Sequence, residues 1–379
     1  MNWPSFKIKD LCDITSSKRI YAKDYLPEGV PFYRGKEIIE KYNGAVEIST
    51  QLFISPNKYE EIKSKFGVPQ YGDILLSSVG TLGVPFQVNN QQEFYFKDGN
   101  LTWFRNFKEI CSRYLYYWLV SPEGKMQLQK CTIGTSQSAY TIVRLKEMEI
   151  SLPPQGQQED IASILSAYDD LIENNRRRIQ LLEESARLLY KEWFVHLRFP
   201  GHEHTKIIDG IPEGWGRKTL GECATLNYGK ALKKDNRIEG NFLVYGSSGV
   251  VGFHNKAIVK SPAIIIGRKG NVGSVFWSVC DCWPIDTVYF ILPEESNLYL
   301  YYALINMTFI NTDVAVPGLN RDFAYSRPIM MPKENIKAEF NEKVGLIRKQ
   351  IDKLEQYNQK LAQARDLLLP RLMNGEIEV

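Results

Sequence analysis

The sequence predicts a mixed α/β (α+β) fold built twice. Two domains of one kind are joined by two long helices that form an antiparallel coiled coil, and the halves are related by a pseudo-twofold. Two observations predict it. Each half of the 379-residue chain ends in a long apolar pattern at alternating four-three spacing, and the stretches before those patterns share short phrases in the same order. The first pattern is Ile161, Leu165, Tyr168, Ile172, Ile179, Leu182, Ala186 and Leu189; the second is Phe340, Val344, Ile347, Ile351, Leu354, Leu361 and Leu368. One constant shift carries either set onto the other. A 3.5-residue period held over several heptads makes helices that supercoil about each other.

The shared phrases extend the duplication into the domains. Phe6, Leu11 and Asp13 answer Trp215, Leu220 and Glu222. Val79-Gly80-Thr81-Leu82-Gly83-Val84-Pro85-Phe86 faces Lys269-Gly270-Asn271-Val272-Gly273-Ser274-Val275-Phe276, and Tyr114-Leu115-Tyr116-Tyr117 faces Tyr299-Leu300-Tyr301-Tyr302. The approach to each helix matches as well, Ile150-Ser151-Leu152-Pro153 against Ile329-Met330-Met331-Pro332. The offset shrinks along the copy, so the first domain carries extra residues in its middle. Several anchors in one order define an internal repeat.

Element by element, the chain divides at 1–152, 153–198, 199–210, 211–332 and 333–374: domain, helix, linker, domain, helix. In the first domain, strand-type runs such as Asp73-Ile74-Leu75-Leu76 and Glu93-Phe94-Tyr95-Phe96 are separated by Gly, Asn and Pro. Pro153-Pro154-Gln155-Gly156 stops that domain and launches a helix expected to end near Phe194 or His196. Pro200-Gly201-His202-Glu203-His204 reads as a linker. The second domain has strand-like Ala263-Ile264-Ile265-Ile266 and Thr287-Val288-Tyr289-Phe290-Ile291. Its helix runs from about Glu334 to Pro370 or Asn374-Gly375. A helix of roughly 37 residues is about 55 Å long, so an antiparallel pair would be a rigid spacer. The alternative is an amphipathic helix packed on its own domain. Dense charge outside the seam, as in Arg176-Arg177-Arg178 and Arg348-Lys349, favours the spacer. Asn175 and Asn358 fall on seam positions, one per helix; either they meet and set the register, pairing Ile172 with Leu361 and Leu165 with Leu368, or each bonds to solvent at a seam edge.

Composition bounds the function. Lys plus Arg number 47 against 44 Asp plus Glu, a balance that leaves the matter of partners to where the cations cluster. The beginning, Met1-Asn2-Trp3-Pro4-Ser5-Phe6-Lys7, lacks the apolar centre of a signal peptide, and no apolar run reaches membrane-spanning length. Six cysteines without a disulfide or CxxC spacing read as reduced cytoplasmic thiols.

Motifs for catalysis are missing. Gly267-Arg268-Lys269-Gly270 lacks the GxxxxGK[ST] spacing of a phosphate loop, and no GxGxxG follows a strand. The Asn/Asp-Pro-Pro-aromatic tetrapeptide that amino-methyltransferases place beside a flipped base does not occur. His202-Glu203-His204 with His196 could hold a metal, but it sits in a linker and has no complementary Cys/His set, and Cys280-Asp281-Cys282 reads as buried strand cysteines.

A duplicated domain suits a partner with two similar ends, and double-stranded DNA is the expected one. The plan resembles the specificity subunit of a type I restriction–modification enzyme. The resemblance covers essentially the whole chain. It is carried by Pro212-Glu213-Gly214-Trp215, by Ile150-Ser151-Leu152-Pro153-Pro154-Gln155 with Gln158 and Ile161, by Pro317-Gly318-Leu319-Asn320-Arg321-Asp322 before Ile329 and Pro332, and by Ile266-Gly267-Arg268-Lys269-Gly270-Asn271-Val272-Gly273. The first copy departs from this, with Gly134-Thr135-Ser136-Gln137-Ser138 where the second has Pro317-Gly318-Leu319-Asn320.

The resemblance implies a division of labour. Each domain is a target-recognition domain that reads one half of a split, asymmetric DNA site, while the helices fix the gap. Two methyltransferase subunits dock on them, carrying S-adenosylmethionine to methylate adenine. Restriction subunits, which use ATP and magnesium, join for cleavage. This chain would hold no cofactor and catalyse nothing alone.

Base readout needs side chains that make paired hydrogen bonds in the major groove, and phosphate positioning needs cations, hydroxyls and backbone N–H groups. The candidates in the first domain are Arg34, Lys36, Ser77, Ser78, Thr81, Ser136, Gln137 and Tyr140. Those in the second are Lys230, Ser247, Ser248, Arg268, Lys269, Asn271, Asn320 and Arg321. Two other readings are open: a single-chain methyltransferase or nuclease with degenerate motifs, and a nucleic-acid-binding scaffold that is blind to sequence.

Overall fold

The structure, a computed structural model, describes residues 3–45, 48, 50, 52–89, 93–134, 138–309 and 318–379. It divides into two compact units, Met1–Arg178 with Leu354–Val379, and Ile179–Lys353. The long helices Gln155–Tyr190 and Glu334–Met373 therefore each contribute one part to each unit.

The first unit is built on an antiparallel four-stranded sheet in the order Asp13–Thr15, Leu101–Arg105, Ile74–Ser77, Pro85–Gln87. Beside it, Val30–Tyr33 pairs antiparallel with Phe53–Ile54 and parallel with Tyr95–Phe96. Strand Ser5–Lys7 closes on Glu149–Ser151. Ile74–Ser77 is buried along its whole length, which is why it reads as a continuous run rather than an alternation.

The second unit repeats this topology. Its antiparallel sheet runs Asn227–Tyr228, Val288–Ile291, Ala263–Gly267, Val275–Ser278. Phe242–Gly246 pairs antiparallel with Gly249–His254 and parallel with Cys282–Pro284, and Gly216–Thr219 closes on Pro328–Met331. The extra residues of the first copy form helices Gly35–Tyr42 and Pro56–Phe66 between its corresponding strands. In the second copy that span is a hairpin.

The helices combine both sequence expectations. Their domain-proximal turns are core, and the turns beyond them pair with each other. In the first unit Ile161, Ala162 and Leu165 share a cluster with Leu369, Leu372 and Met373 and with the domain's Tyr114, Leu115 and Trp118. In the second, Phe340 and Val344 share one with Tyr190, Trp193 and Phe194 and with Tyr299 and Tyr302. Burying one such apolar side chain contributes roughly 1.5–3 kcal/mol, so these clusters outweigh the ion pairs on the outer faces. None of the named seam positions is exposed, whereas Leu171, Leu181, Leu188 and Leu346 between them are.

The helix ends follow local chemistry. Gln158 is buried, its Nε2 donating to Pro153 O (2.9 Å) and Glu109 O (3.2 Å), and its Oε1 accepting from Cys111 N (2.8 Å). That side chain ties the first turn of the helix to the domain. The first helix passes into a wider π turn, Lys191–Val195. The second continues through Pro370 to Met373 and stops before Gly375, whose φ is 66°. Pro370 forfeits one helical bond. Buried Leu369, Leu372 and Met373 hold that turn regardless.

Candidate nucleic-acid interface

The same loop follows the same buried strand in both units. After Ala263–Gly267 the chain turns through Gly270 (φ 81°) and Gly273 (φ 79°), and Gly273 N donates to Gly267 O at 2.9 Å. After Ile74–Ser77 it turns through Gly80 (φ 79°) and Gly83 (φ 77°), and Gly83 N donates to Ser77 O at 2.9 Å. A left-handed conformation at these points suits glycine. At Gly273 space adds a second reason, because a Cβ would lie 2.9 Å from Phe309 Cβ.

Each loop is pinned to the segment before a short helix. Leu319 N donates to Arg268 O (2.8 Å), and Tyr140 N donates to Ser78 O (3.0 Å). Bridges Lys269–Gly318 and Val79–Ala139 accompany them. Asn320 then caps Arg321–Tyr325, its Oδ1 accepting from Asp322 N (2.7 Å) and Phe323 N (3.1 Å). Thr141 caps Ile142–Lys146, its hydroxyl accepting from Arg144 N at 3.4 Å. These bonds correct the alignment of the repeats: Ala139-Tyr140-Thr141, not Gly134–Ser138, stands opposite Gly318-Leu319-Asn320. The match is one of backbone and cap, which different side chains satisfy, so identity hides it.

On this common frame the side chains differ. In the second unit Arg268 lies over the rings of Tyr228 (5.3 Å) and Tyr289 (5.7 Å), while Arg321 lies over Tyr228 (5.2 Å) and Tyr325 (5.9 Å). Arg268 Nη2 donates to Asp286 O at 2.8 Å. Tyr289 is buried and donates to Leu319 O at 3.0 Å, and that burial, reinforced by the Tyr228 hydroxyl, pushes its own hydroxyl up to about 12. Lys269, Asn271 and Ser248 are exposed beside this cluster, with Asn271 Nδ2 donating to Ser248 Oγ at 3.4 Å. Ser247 is buried, and its carbonyl accepts from Ser274 Oγ (2.6 Å). Lys230 is exposed over Trp283, whose indole donates to Lys230 O (2.8 Å).

In the first unit a small, internal serine, Ser78, stands where the second has Arg268. Ser78 Oγ and Thr102 Oγ1 are hydrogen-bonded at 2.7 Å, and Ser77 Oγ accepts from Val84 N at 2.9 Å. Both serines are buried. Their hydroxyls are bonded within the fold and hold the loop. Arg34 heads helix Gly35–Tyr42 and bonds buried Glu37, Nη2 to Oε1 at 2.7 Å. Burial alone would raise Glu37, but the Arg34 guanidinium and backbone N–H groups leave it below the usual carboxylate range. Lys36 is exposed near Glu40 (3.5 Å), Thr81 is exposed at the loop tip, and Tyr140 is half-buried. Ser136 and Gln137, like Pro317, lie outside the described residues.

Sequence reasoning found the two arginines and missed Tyr228, Tyr289 and Tyr325. They come from distant strands and a helix, and only the assembled sheet brings them under the guanidinium groups. Two other readings meet plain geometry. Cys282 is buried in strand Cys282–Pro284, and Cys280 precedes it. His202–His204 forms a 3₁₀ turn in which His202 Nδ1 bonds Phe199 O at 2.8 Å. Among the described residues no three His, Cys, Asp or Glu side chains are grouped to hold a metal ion, and no helix is long and apolar enough to cross a membrane.

Two domains of one topology, each packed with parts of the same two long helices and each carrying the same glycine-turned loop, define a class of duplicated-domain protein. Comparison with known proteins gives the family. The family description "Type I restriction modification DNA specificity domain" matches residues 1–184 and 212–363, and the chain belongs to that family. It is 24% identical to the type I restriction enzyme MjaIX specificity subunit of Methanocaldococcus jannaschii, over all of this chain and 94% of that one. It is 22% identical to the type I restriction enzyme HindI specificity subunit of Haemophilus influenzae, over 81% and 86% of the two chains. Its fold is similar to the crystal structure of a type I restriction–modification S subunit from M. genitalium, with a TM-score of 0.56, 21% identity and coverage of 98% and 96%.

Proposed function

We propose that this chain is the specificity subunit that gives a type I restriction–modification complex its DNA sequence. Each unit reads one half of a bipartite, asymmetric site in double-stranded DNA, and the paired helices set the gap. Two methyltransferase subunits, which bring S-adenosylmethionine, dock on the chain. Restriction subunits, which bring ATP and magnesium, complete the assembly, and this chain supplies no catalytic group. One observation carries the reading: a single loop frame occurs twice, with Arg268 and Arg321 on one copy and Ser78 and Ile142 at the corresponding places on the other. One fold thereby presents two chemistries, as a reader of two unlike half-sites must.

Exchange of residues 211–332 for those of another family member tests it. Modification of a site with one altered half and one retained half is expected. Loss of both halves would contradict modular reading.

A further inference from the structure

We infer that Arg321, held by Tyr228, reads a guanine in the half-site assigned to the second unit, and that the corresponding place in the first unit reads none. The inference rests on the specificity reading above. Two guanidinium groups share the Tyr228 ring at 5.3 and 5.2 Å, and among the described residues neither pairs with a carboxylate. Arg268 is committed to the fold: Nη2 is bonded to Asp286 O, and its buried Nε has no partner among the described residues. Arg321 is exposed, and it makes no hydrogen bond among the described residues beyond its ring contacts. Its contacts with the two rings hold the guanidinium in place and use none of its N–H donors. Two adjacent like charges call for an acceptor-rich ligand.

Both a phosphate and the O6/N7 edge of guanine have that chemistry. The repeat favours the base. Phosphate contacts carry no sequence information, so twin domains on one DNA duplex would keep a cation at the same place. Ile142 stands opposite Arg321, and Ser78, bonded to Thr102, stands opposite Arg268. Loss of the exposed cation at the place of Arg321 marks readout of sequence. Tyr228, itself 52% exposed, is the positioning residue.

The test is methylation mapping with the full chain co-expressed with its methyltransferase, comparing wild type with Arg321→Ala, Arg321→Lys and Tyr228→Leu. Arg321→Ala is expected to relax one guanine position in one half-site, with discrimination there falling about tenfold to a hundredfold. The other half-site and the gap stay as they were. Arg321→Lys keeps the charge but loses the planar fork, and is expected to relax the same position. Tyr228→Leu should do so partially. Uniformly weaker modification of an unchanged motif, rescued by Arg321→Lys, would identify a phosphate contact and overturn the inference. An unchanged motif at unchanged strength would overturn it as well. Copurification of each variant with the methyltransferase separates misfolding from loss of reading. A wild-type chain that directs no methylation would instead defeat the specificity reading on which this rests.

Discussion

Asn175 Nδ2 donates a 2.9 Å hydrogen bond to Asn358 Oδ1, joining the two long helices of the first unit through the seam. Asp169 and Arg365 pair nearby on the same two helices. As the first partner advances from 169 to 175 the second retreats from 365 to 358, so the helices run antiparallel. Repeat-related positions carry Leu354 and Ile179, so the polar contact occurs without a symmetric counterpart. A buried amide pair costs stability in a seam but rejects slipped registers, which would set each amide against an aliphatic side chain.

Replacing Asn175 alone by Leu strands the Asn358 amide, and should lower stability by about 1 kcal/mol in chemical denaturation. Replacing both by Leu should raise the melting temperature while allowing more than one register or oligomeric state, read by light scattering and cysteine cross-linking across the seam. One register and one state in the double variant would contradict the pairing.

Asp169 also accepts a 2.6 Å hydrogen bond from Tyr117 Oη, so one carboxylate connects the domain to both helices. Asp169→Ala leaves the Tyr117 phenol without its acceptor and takes from Arg365 the partner on the other helix, leaving it only Asp366 beside it among the described residues, a loss of about 1–3 kcal/mol. Removing Glu147, whose ion pairs with Lys7 and Lys9 are exposed, should move the unfolding midpoint far less. Equal effects would show that Asp169 has no such connecting role.

Glu37 gives a pH signature. Its folded value lies below the ordinary 4.5, so the stability it contributes is fully present above about pH 4.5 and is lost as pH falls through the lowered value. Glu37→Gln should cost about 2 kcal/mol at neutral pH and flatten the acid limb of the stability curve. A variant with wild-type acid sensitivity would refute that assignment.

Inserting one heptad into each long helix keeps the seam facing inward and adds about 10 Å, the length of roughly three base pairs. The modified motif should keep both half-sites and gain a longer gap. An unchanged gap would contradict the spacer proposal.

Much of the fold was legible because it is written in periods. The heptads gave both helices, and the punctuated apolar runs gave Ile74–Ser77 and Ala263–Gly267 almost to the residue. The match of Gly80 with Gly270 and Gly83 with Gly273 between the two copies reflects a backbone need, since all four have positive φ in corresponding turns. The candidate site was legible only in part. Ser77 and Ser78 have the composition of a contact loop, yet internal hydrogen bonds claim them. Tyr228 gave no local signal, since its role exists only where Asn227–Tyr228 pairs with Val288–Ile291 and sets its ring against Tyr289 at 5.1 Å.

The central claim is that this chain gives a methyltransferase its sequence. Co-expression with a methyltransferase subunit encoded beside it, followed by single-molecule sequencing of the host DNA, tests it most directly. The account predicts adenine methylation in a split motif with a fixed gap, present with this chain and absent without it. Methylation at the same sites in both cultures, or none when the partner and S-adenosylmethionine are verified, would contradict it.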